Sequence, residues 1–472
     1  MKKLIFLLHA GFLLLILTAN GQGTYNNRNP LNEIDEFIIE QMEIFHVPGL
    51  SACIVIGDSV VWNNNYGYMN LEDSIPVNDS TLFNVFSIGK SLTATCVMQL
   101  RENQLLDLDE NVNDFLPFQI DSPWNNPDSI SARMLMSHTS AINDWNFNNF
   151  ITIGDPTITL GNFLENYLCP GGLYYGNSNF YNVTPGSSFH YDNYGVALNG
   201  YLVEPLTGID FYQYARDSLL APLNMTASAW FLNELNINNL AIGYTYSNGN
   251  FLSNEHLGHP AYPGLSLHTT ALELSNFVIM LLNHGVYKEL NILSGASVDL
   301  METIQNPDWT YSYGITGLGM FSRDDFGDRI VWGHNGGSSS GYAAHYYLCN
   351  EQNSGIVITT NSEQYVDPIV EYLFDYALNI TNISENPELR NTNMIIYPNP
   401  SSGIVNIKFD PDVKTKVKLS ISNINGQEIK YILLESKKSD NYTIKCDEFS
   451  PGVYFITLQT DSGTSTKKLI IK

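Results

Sequence analysis

The chain has 472 residues, of which 44% are hydrophobic and only 15% are charged, so it is long enough for two or three domains and can form a substantial core. Its formal net charge is −26, and the acidic excess lies in residues 22–392, which hold 40 acidic and 9 basic side chains, against 8 and 11 in residues 393–472. Such an acidic body argues against nucleic acid as a partner, because that polyanion binds cationic surfaces. The break in charge predicts separate modules.

The N-terminus has the pattern of an export signal. Two lysines precede an apolar run from Leu4 to Leu17, and small residues follow up to Gly21. A basic start, an apolar middle and a small-residue cleavage site are typical of a secretory signal peptide. A membrane anchor would need roughly twenty apolar residues, and this shorter run is interrupted by His9. We therefore expect residues 1–21 to be a cleaved signal peptide.

The region after the signal predicts strands at both ends with helices between them. Val- and Ile-rich stretches over 49–57 and 59–68 predict two strands joined by a tight turn. Apolar spacing predicts a buried helix over 87–103 and another over 271–284. Further strands are predicted over residues 311–321, 329–334, 342–349 and 355–360, with a closing helix over 363–379. This order predicts one α/β domain over residues 22–380, whose C-terminal part completes its sheet.

The last ninety residues predict a linker and a second domain. Residues 381–392 are polar without periodicity, which favours a linker. Short alternating segments punctuated by glycine and proline follow it, over residues 404–409, 415–423, 428–435, 452–460 and 466–471. Residues 393–472 are therefore predicted to form a small all-β sandwich.

The first candidate chemical segment pairs a serine with a lysine. Only two lysines occur between residues 4 and 392, and one of them, Lys90, lies three positions after Ser87 at the start of a predicted helix. Residues three apart share a helix face, so the ammonium is expected beside the hydroxyl. Serine is a weak nucleophile until its proton is removed, and a partly desolvated lysine can remove it. The alternative is a solvated surface pair, which the apolar neighbours disfavour.

Two other segments are candidates for the same site. Tyr191 could carry a proton, and Asn193 could bind a substrate amide, although the Tyr-x-Asn pattern recurs several times in the chain. In the glycine-rich residues 332–338, His334 could donate to a substrate carbonyl or carboxylate. Glycines there allow a backbone to approach a ligand closely. A packed tyrosine and a turn with a surface histidine are the alternatives.

The sequence gives little support for a metal or cofactor. Residues 255–260 contain two histidines and a glutamate, but a glycine and a proline prevent the helical geometry of a zinc site and no third-ligand motif follows. The five cysteines match no metal motif, and most of them lie in apolar stretches and are interpreted as small core residues. We expect neither a metal nor another cofactor.

Taken in order, these segments resemble the serine β-lactamase and penicillin-binding-protein family, in which Ser-x-x-Lys is a signature. The likeness is greatest to the class C β-lactamase-related group and covers roughly residues 35–380. Further matching segments are residues 47–51, 81–83, 105–109, 115–117, 135–140, 263–266 and 358–361. The resemblance implies an antiparallel sheet flanked by helices, with a mainly helical subdomain.

The resemblance also implies a covalent acyl-enzyme mechanism. Ser87 matches the nucleophile, Lys90 its activating partner, and Tyr191 the general base and leaving-group acid.

The same likeness implies the binding groups. Asn193 matches the substrate-orienting amide, and His334 and Gly336 match the third family motif. The backbone N–H groups of Ser87 and Gly337 would form the oxyanion hole. The third motif is His-Asn-Gly here and not Lys-Thr-Gly, so a permanent cation suited to a substrate carboxylate is missing. This favours the esterase or amidase members over antibiotic hydrolysis or a carboxypeptidase.

The C-terminal region resembles the sorting domain of type IX secretion. The likeness rests on residues 396–403, 425–427, 452–455 and 467–472. It implies passage across the outer membrane, with release or surface attachment, and secretion machinery as a partner.

Together these observations predict a secreted serine hydrolase acting on a small-molecule or peptide amide or ester, of the esterase, D-amino-acid amidase or D-alanyl-D-alanine carboxypeptidase kind. Two alternatives stay open. One is a non-catalytic receptor for peptidoglycan fragments on the same fold, and the other is a surface adhesin exported by the tail.

Overall fold

The computed structural model describes residues 33–385 except 125–128, 307–309, 312–313, 324–325 and 327–329. In the C-terminal region it describes residues 395–397, 399, 401, 403–408, 417–423, 427–434, 441–445, 449–460 and 463–471. The predicted signal peptide lies outside this set. Among the described helices, none combines the length and apolar character that a membrane crossing requires.

The described helices fall into two groups, one on each side of the main sheet. They are α1 (Glu33–Phe45), α2 (Gly89–Glu102), α3 (Ala132–Met136), α4 (Leu160–Leu168), α5 (Tyr194–Tyr201), α6 (Val203–Thr207), α7 (Phe211–Ala215), α8 (Ala271–Leu282), α9 (Gly295–Met301) and α10 (Asp367–Glu385). A π-helical turn, Arg216–Leu220, continues α7.

The strands before the C-terminal region include several short pairs outside the main sheet. They are β1 (Gly49–Ile56), β2 (Ser59–Asn70), β3 (Ile75–Pro76), β4 (Phe83–Asn84), β5 (Thr152–Ile153), β6 (Tyr244–Ser247), β7 (Asn250–Ser253), β8 (Leu257–Gly258), β9 (His268–Thr269), β10 (Val286–Tyr287), β11 (Leu290–Asn291), β12 (Thr310–Tyr311), β13 (Gly314–Thr316), β14 (Phe321–Arg323), β15 (Val331–Ser338), β16 (Tyr342–Cys349) and β17 (Ser354–Thr360).

The main sheet is antiparallel and has the order β12-β13-β14-β15-β16-β17-β1-β2-β3. Its two faces belong to different cores. In β1, Cys53 and Val55 pack into the core that includes α2, α5 and α8, whereas Ala52 and Ile54 pack into the core that includes α1 and α10. This alternation follows from the two-residue period of a strand. The predicted antiparallel sheet flanked by helices, with a mainly helical part, is confirmed.

Two predicted elements differ from the structure. The strand expected over 311–321 is broken into β12, β13 and β14, because Gly314 and Gly319 have positive φ angles that turn the chain. The helix expected over 363–379 begins at Asp367, with Pro368 at its first turn, and continues to Glu385. It therefore extends into residues 381–385 of the predicted linker, and the remainder of that linker lies outside the described residues.

The C-terminal region is all-β, as predicted. Its described strands are β18 (Ile395–Tyr397), β19 (Ile404–Lys408), β20 (Val417–Asn423), β21 (Glu428–Leu434), β22 (Asn441–Lys445), β23 (Gly452–Thr460) and β24 (Gly463–Ile471). They form sheets of order β18-β19-β22 and β21-β20-β23-β24. Val405 and Ile407 from the first share a core with Leu419 and Ile456 from the second, which makes a sandwich. The sequence patterns missed β18 and β22.

Candidate active site

Ser87 lies in a tight turn that leads into the first turn of α2. The turn is a 3₁₀ segment, Phe86–Ile88, and Phe86 has a left-handed φ of 44°. A residue with a β-carbon adopts that conformation only when its surroundings impose it. Here the side-chain oxygen of Asn84 accepts a hydrogen bond from the Phe86 backbone N–H at 2.9 Å. The turn leaves Ser87 half-buried at the start of a buried helix.

Lys90 is the centre of the polar contacts around Ser87. Its ammonium donates to the Ser87 Oγ at 2.8 Å, to the Asn193 Oδ1 at 2.8 Å and to the Gly264 carbonyl at 3.2 Å. The side chain is 1% exposed. Burial lowers the pKa of Lys90 to about 7, although the charges of Asp144 and Asp192 act in the opposite direction. Near neutral pH, therefore, Lys90 exists in both its charged and its neutral forms.

Tyr191 contacts the other side of the serine. Its hydroxyl donates to the Ser87 Oγ at 2.9 Å. The Lys90 nitrogen lies 5.0 Å from the centre of the Tyr191 ring, and the imidazole of His138 packs against that ring with 4.4 Å between ring centres. The Ser87 oxygen thus lies between an amine and a phenol, both able to exchange protons with it.

Asn193 is held between two charged groups. Its Oδ1 accepts from Lys90, while its backbone N–H and its Nδ2 both donate to the Asp144 Oδ2, at 2.9 and 2.7 Å. Asn193 is also the residue that precedes α5, so the Asp144 carboxylate occupies the N-terminal end of that helix, where the dipole favours an anion.

His334 lies in β15 and is neutral. Its Nδ1 is 2.5 Å from the backbone carbonyl oxygen of Asn335, which can only accept, so Nδ1 carries the proton. Burial, followed by the charge of Lys90, lowers the pKa of His334 to about 3. The ring packs against Phe321 and Tyr191 with 5.1 and 6.5 Å between ring centres. The Nε2 is buried and has no hydrogen-bond partner among the described residues.

The two predicted glycines occupy positions that leave no room for a side chain. A β-carbon on Gly336 would stand 2.0 Å from the carbonyl oxygen of Val85, in the turn that carries Ser87. A β-carbon on Gly337 would stand 2.6 Å from the hydroxyl oxygen of Tyr365. Strand β15 therefore packs directly against the serine turn on one face and against Tyr365 on the other.

Sequence reasoning missed two carboxyl groups of the site. Asp192 is buried between Tyr191 and Asn193, and its Oδ1 accepts from the Gly195 N–H. Burial, reinforced by the charge of Asp144, raises the pKa of Asp192 well above its usual value. Its position inside the Tyr-x-Asn segment was the available signal. Asp144 had no such signal: it lies in an irregular loop shortly after the 135–140 segment, and no periodicity marks which side chain of that loop faces the site.

The histidine cluster considered as a metal site does not converge. His256 contacts the Tyr342 hydroxyl at 3.2 Å through Nδ1, and the Nδ1 of His259 accepts from the Ala261 N–H at 2.9 Å. Across the described part of the chain, no group of three histidine, cysteine or acidic side chains lies close enough to hold a metal ion.

Comparison with family models settles the relationship that these contacts suggest. Residues 34–375 match the model described as Beta-lactamase. The chain belongs to the beta-lactamase family. Residues 395–472 match the model of a secretion system C-terminal sorting domain, which implies export by type IX secretion to the cell surface or the exterior. Both predicted resemblances are therefore confirmed, and the beta-lactamase match makes a serine hydrolase the family expectation.

Three proteins similar to this chain are distant from it in sequence. Protein flp of Staphylococcus aureus is 25% identical to this chain. The matched region covers 74% of this chain and 66% of the length of protein flp. A solved octameric penicillin-binding protein homologue from Pyrococcus abyssi has a TM-score of 0.59 at 20% identity, covering 93% of this chain and 96% of that one. D-amino acid amidase from Ochrobactrum anthropi has a TM-score of 0.60 at 18% identity, covering 74% and 99%. At these identities the solved structures establish the fold alone.

Proposed function

We propose that this beta-lactamase family protein is a secreted serine hydrolase that cleaves an amide or ester through an acyl-enzyme on Ser87. The observation that supports this most directly is the position of the Ser87 Oγ, 2.8 Å from the Lys90 nitrogen and 2.9 Å from the Tyr191 hydroxyl. A buried lysine whose pKa lies near 7 is a suitable base for a serine hydroxyl.

In the first half of the reaction, the Ser87 oxygen attacks the substrate carbonyl carbon while its proton passes to neutral Lys90. The carbonyl π electrons move to the oxygen, which the backbone N–H groups of Ser87 and Gly337 would stabilise. The bond to the leaving nitrogen or oxygen then breaks. That atom takes a proton through Tyr191, and Lys90 returns to its neutral form.

In the second half, water attacks the acyl carbon. The water proton passes through Tyr191 to Lys90, the Ser87–acyl bond breaks, and the serine oxygen takes that proton back from Lys90. The products are a carboxylic acid and the free enzyme, so the cycle needs no other reactant.

The choice of substrate follows from the third family motif, which contains His334 and Gly336. Neutral His334 provides no cation for a carboxylate beside the scissile bond. We infer that neutral esters and amides are better substrates than β-lactams or peptides with a free C-terminal carboxylate. The second hydrogen of the Asn193 amide and the backbone at Gly336 would orient such a substrate.

The domain organisation belongs to the same proposal. Residues 1–21 would direct the chain across the inner membrane, and residues 22–380 would form the hydrolase. After the segment 381–392, whose first five residues continue α10, residues 393–472 would engage the secretion machinery and then be removed or used for attachment.

The test is covalent labelling with a fluorophosphonate probe, which captures an activated serine. We expect the wild type to be labelled at Ser87, as mapped by mass spectrometry, while Ser87→Ala is not. Ser59→Ala, at the first residue of β2, is the matched control and should label normally. Turnover is then measured on p-nitrophenyl esters, D-alanyl amides and nitrocefin. Absence of labelling in folded wild type would favour the non-catalytic receptor for peptidoglycan fragments.

A further inference from the structure

The loop after α3 holds Asp144 in a fixed position. On one side, the Asn143 N–H donates to the Asn179 carbonyl at 2.8 Å, and on the other, the Trp145 ring N–H donates to the Asn179 side-chain oxygen at 3.1 Å. Asn179 itself is 1% exposed. Because both neighbours of Asp144 are tied to one buried residue, the carboxylate has little freedom to move.

The side-chain amide of Asn193 has two possible orientations, and only one suits the charged form of Lys90. An ammonium group donates hydrogen bonds and accepts none. If the amide were turned over, its NH₂ group would face the Lys90 ammonium as a second donor. In the observed orientation the NH₂ group donates to Asp144 and the amide oxygen faces Lys90.

We propose that Asp144 is a positioning residue for the hydrolytic site, whose carboxylate locks the Asn193 amide in the orientation that presents oxygen to Lys90. This inference rests on the proposed function, because the orientation of Asn193 matters for the reaction only if Lys90 activates Ser87. Asp144 acts through Asn193 and touches neither Ser87 nor the reacting atoms.

The charge of Asp144 adds a second effect on the lysine. Several titratable groups face Lys90: Tyr191 and Asp192 before α5, His138 after α3, His334 in β15, and Asp144 itself. Burial keeps the two histidines neutral, with pKa values of about 3, and raises the pKa of Asp192. Asp144 is therefore the main source of negative charge near Lys90, and it opposes the lowering of the lysine pKa by burial.

The experiment compares two substitutions that separate charge from hydrogen bonding. Asp144→Asn keeps an oxygen acceptor for Asn193 but removes the charge, whereas Asp144→Ala removes both. Asp155→Ala is the matched control, because Asp155 likewise accepts two N–H donors, in its case the backbone N–H groups of Leu232 and Asn233 at 2.7 and 3.1 Å. Each variant is measured for fluorophosphonate labelling rate across pH and for melting temperature.

We expect Asp144→Asn to move the acid limb of the labelling profile to lower pH by about one unit, because Lys90 loses a stabilising anion. Asp144→Ala should also lower the plateau rate by about 10- to 100-fold, the effect of losing a hydrogen bond to a charged group. Asp155→Ala should leave the acid limb in place, even if it lowers the melting temperature.

The inference would be overturned if both Asp144 variants kept the parental rate and the parental acid limb. It would also be overturned if the only effect of the two Asp144 substitutions were a lower melting temperature, of the same size as the decrease that Asp155→Ala causes. Its failure is distinguishable from that of the proposed function, because the wild type would then still be labelled at Ser87. If the wild type itself were not labelled, the proposed function would fail first.

Discussion

A β-carbon placed on Gly336 would stand 2.9 Å from the backbone nitrogen of Ser87. Strand β15 and the serine turn are therefore in contact through their backbones, with no side chain between them. This closeness matters because the Ser87 N–H is one of the two groups proposed to stabilise the oxyanion. Any side chain at position 336 has to push the turn and the strand apart.

Gly336→Ala should therefore abolish most of the activity. The added methyl group would also lie 2.0 Å from the Val85 carbonyl oxygen, closer than any real contact, so the turn must shift. We expect the labelling rate to fall about 100-fold or more, the effect of losing an oxyanion donor. Gly176→Ala is the control, because a β-carbon there meets nothing within 4 Å. Equal rates in the two variants would contradict the proposed role of this contact.

Replacing Lys90 tests the activation of the serine. Lys90→Met removes the amine but retains most of the side-chain volume, so the buried site stays filled while Ser87 loses its base. We expect labelling to fall by about 100-fold or more without loss of the fold, because replacing a buried charge with an apolar side chain removes its desolvation cost.

Lys288→Ala is the matched control, since Lys288 is the other lysine of residues 4–392 and is exposed. It should label at the parental rate, and circular dichroism should match in all three proteins. A Lys90→Met protein that reacts at the parental rate would refute the activation role.

The pH dependence of labelling should report the lysine. The pKa of Lys90 is lowered from 10.5 to about 7, so its neutral, proton-accepting form predominates above pH 7 and declines below it. The rate should therefore be nearly constant above pH 7 and fall about tenfold per unit as the pH drops further. A melting curve at each pH confirms that the protein stays folded. If the labelling rate instead fell below about pH 10, where an exposed lysine titrates, the assignment of the acid limb to Lys90 would be contradicted.

Substrate preference should respond to residue 334. With its pKa lowered to about 3, His334 stays neutral from pH 5 to 9 and cannot pair with a carboxylate. We expect p-nitrophenyl acetate to be hydrolysed more efficiently than nitrocefin, which carries a carboxylate. His334→Lys should raise the ratio of nitrocefin to ester kcat/KM, on the order of tenfold for one added ion pair in a partly buried site. An unchanged ratio would show that residue 334 does not select substrates by charge.

The elements with a regular pattern were predictable from sequence. The turn after β1 lies between two stretches whose residue types predict strands, and the three-residue spacing of Ser87 and Lys90 predicts their contact. Glycine was less informative. Nothing local indicates whether Gly314 and Gly319 lie inside a strand or break it, because the answer depends on which strand the chain next pairs with.

The rest of the site depends on tertiary burial, which no local pattern reveals. The neutrality of His334 follows from its enclosure by Phe321 and Tyr191. Asp144 comes close to Asn193 only because Asn179 holds its loop from both sides. These contacts join segments separated by tens to hundreds of residues, and irregular loops have no periodicity from which such contacts could be inferred.

The pairing of β1 has a consequence for how the chain reaches its native state. Strand β1 lies between β2 and β17, so the register that joins Leu50 to Thr360 spans nearly the whole beta-lactamase region. Until residues 354–360 have been synthesised, the centre of the sheet cannot close, and contacts of such long sequence separation form slowly. The central strands of the main sheet therefore stay incomplete until nearly all of the beta-lactamase region has left the ribosome.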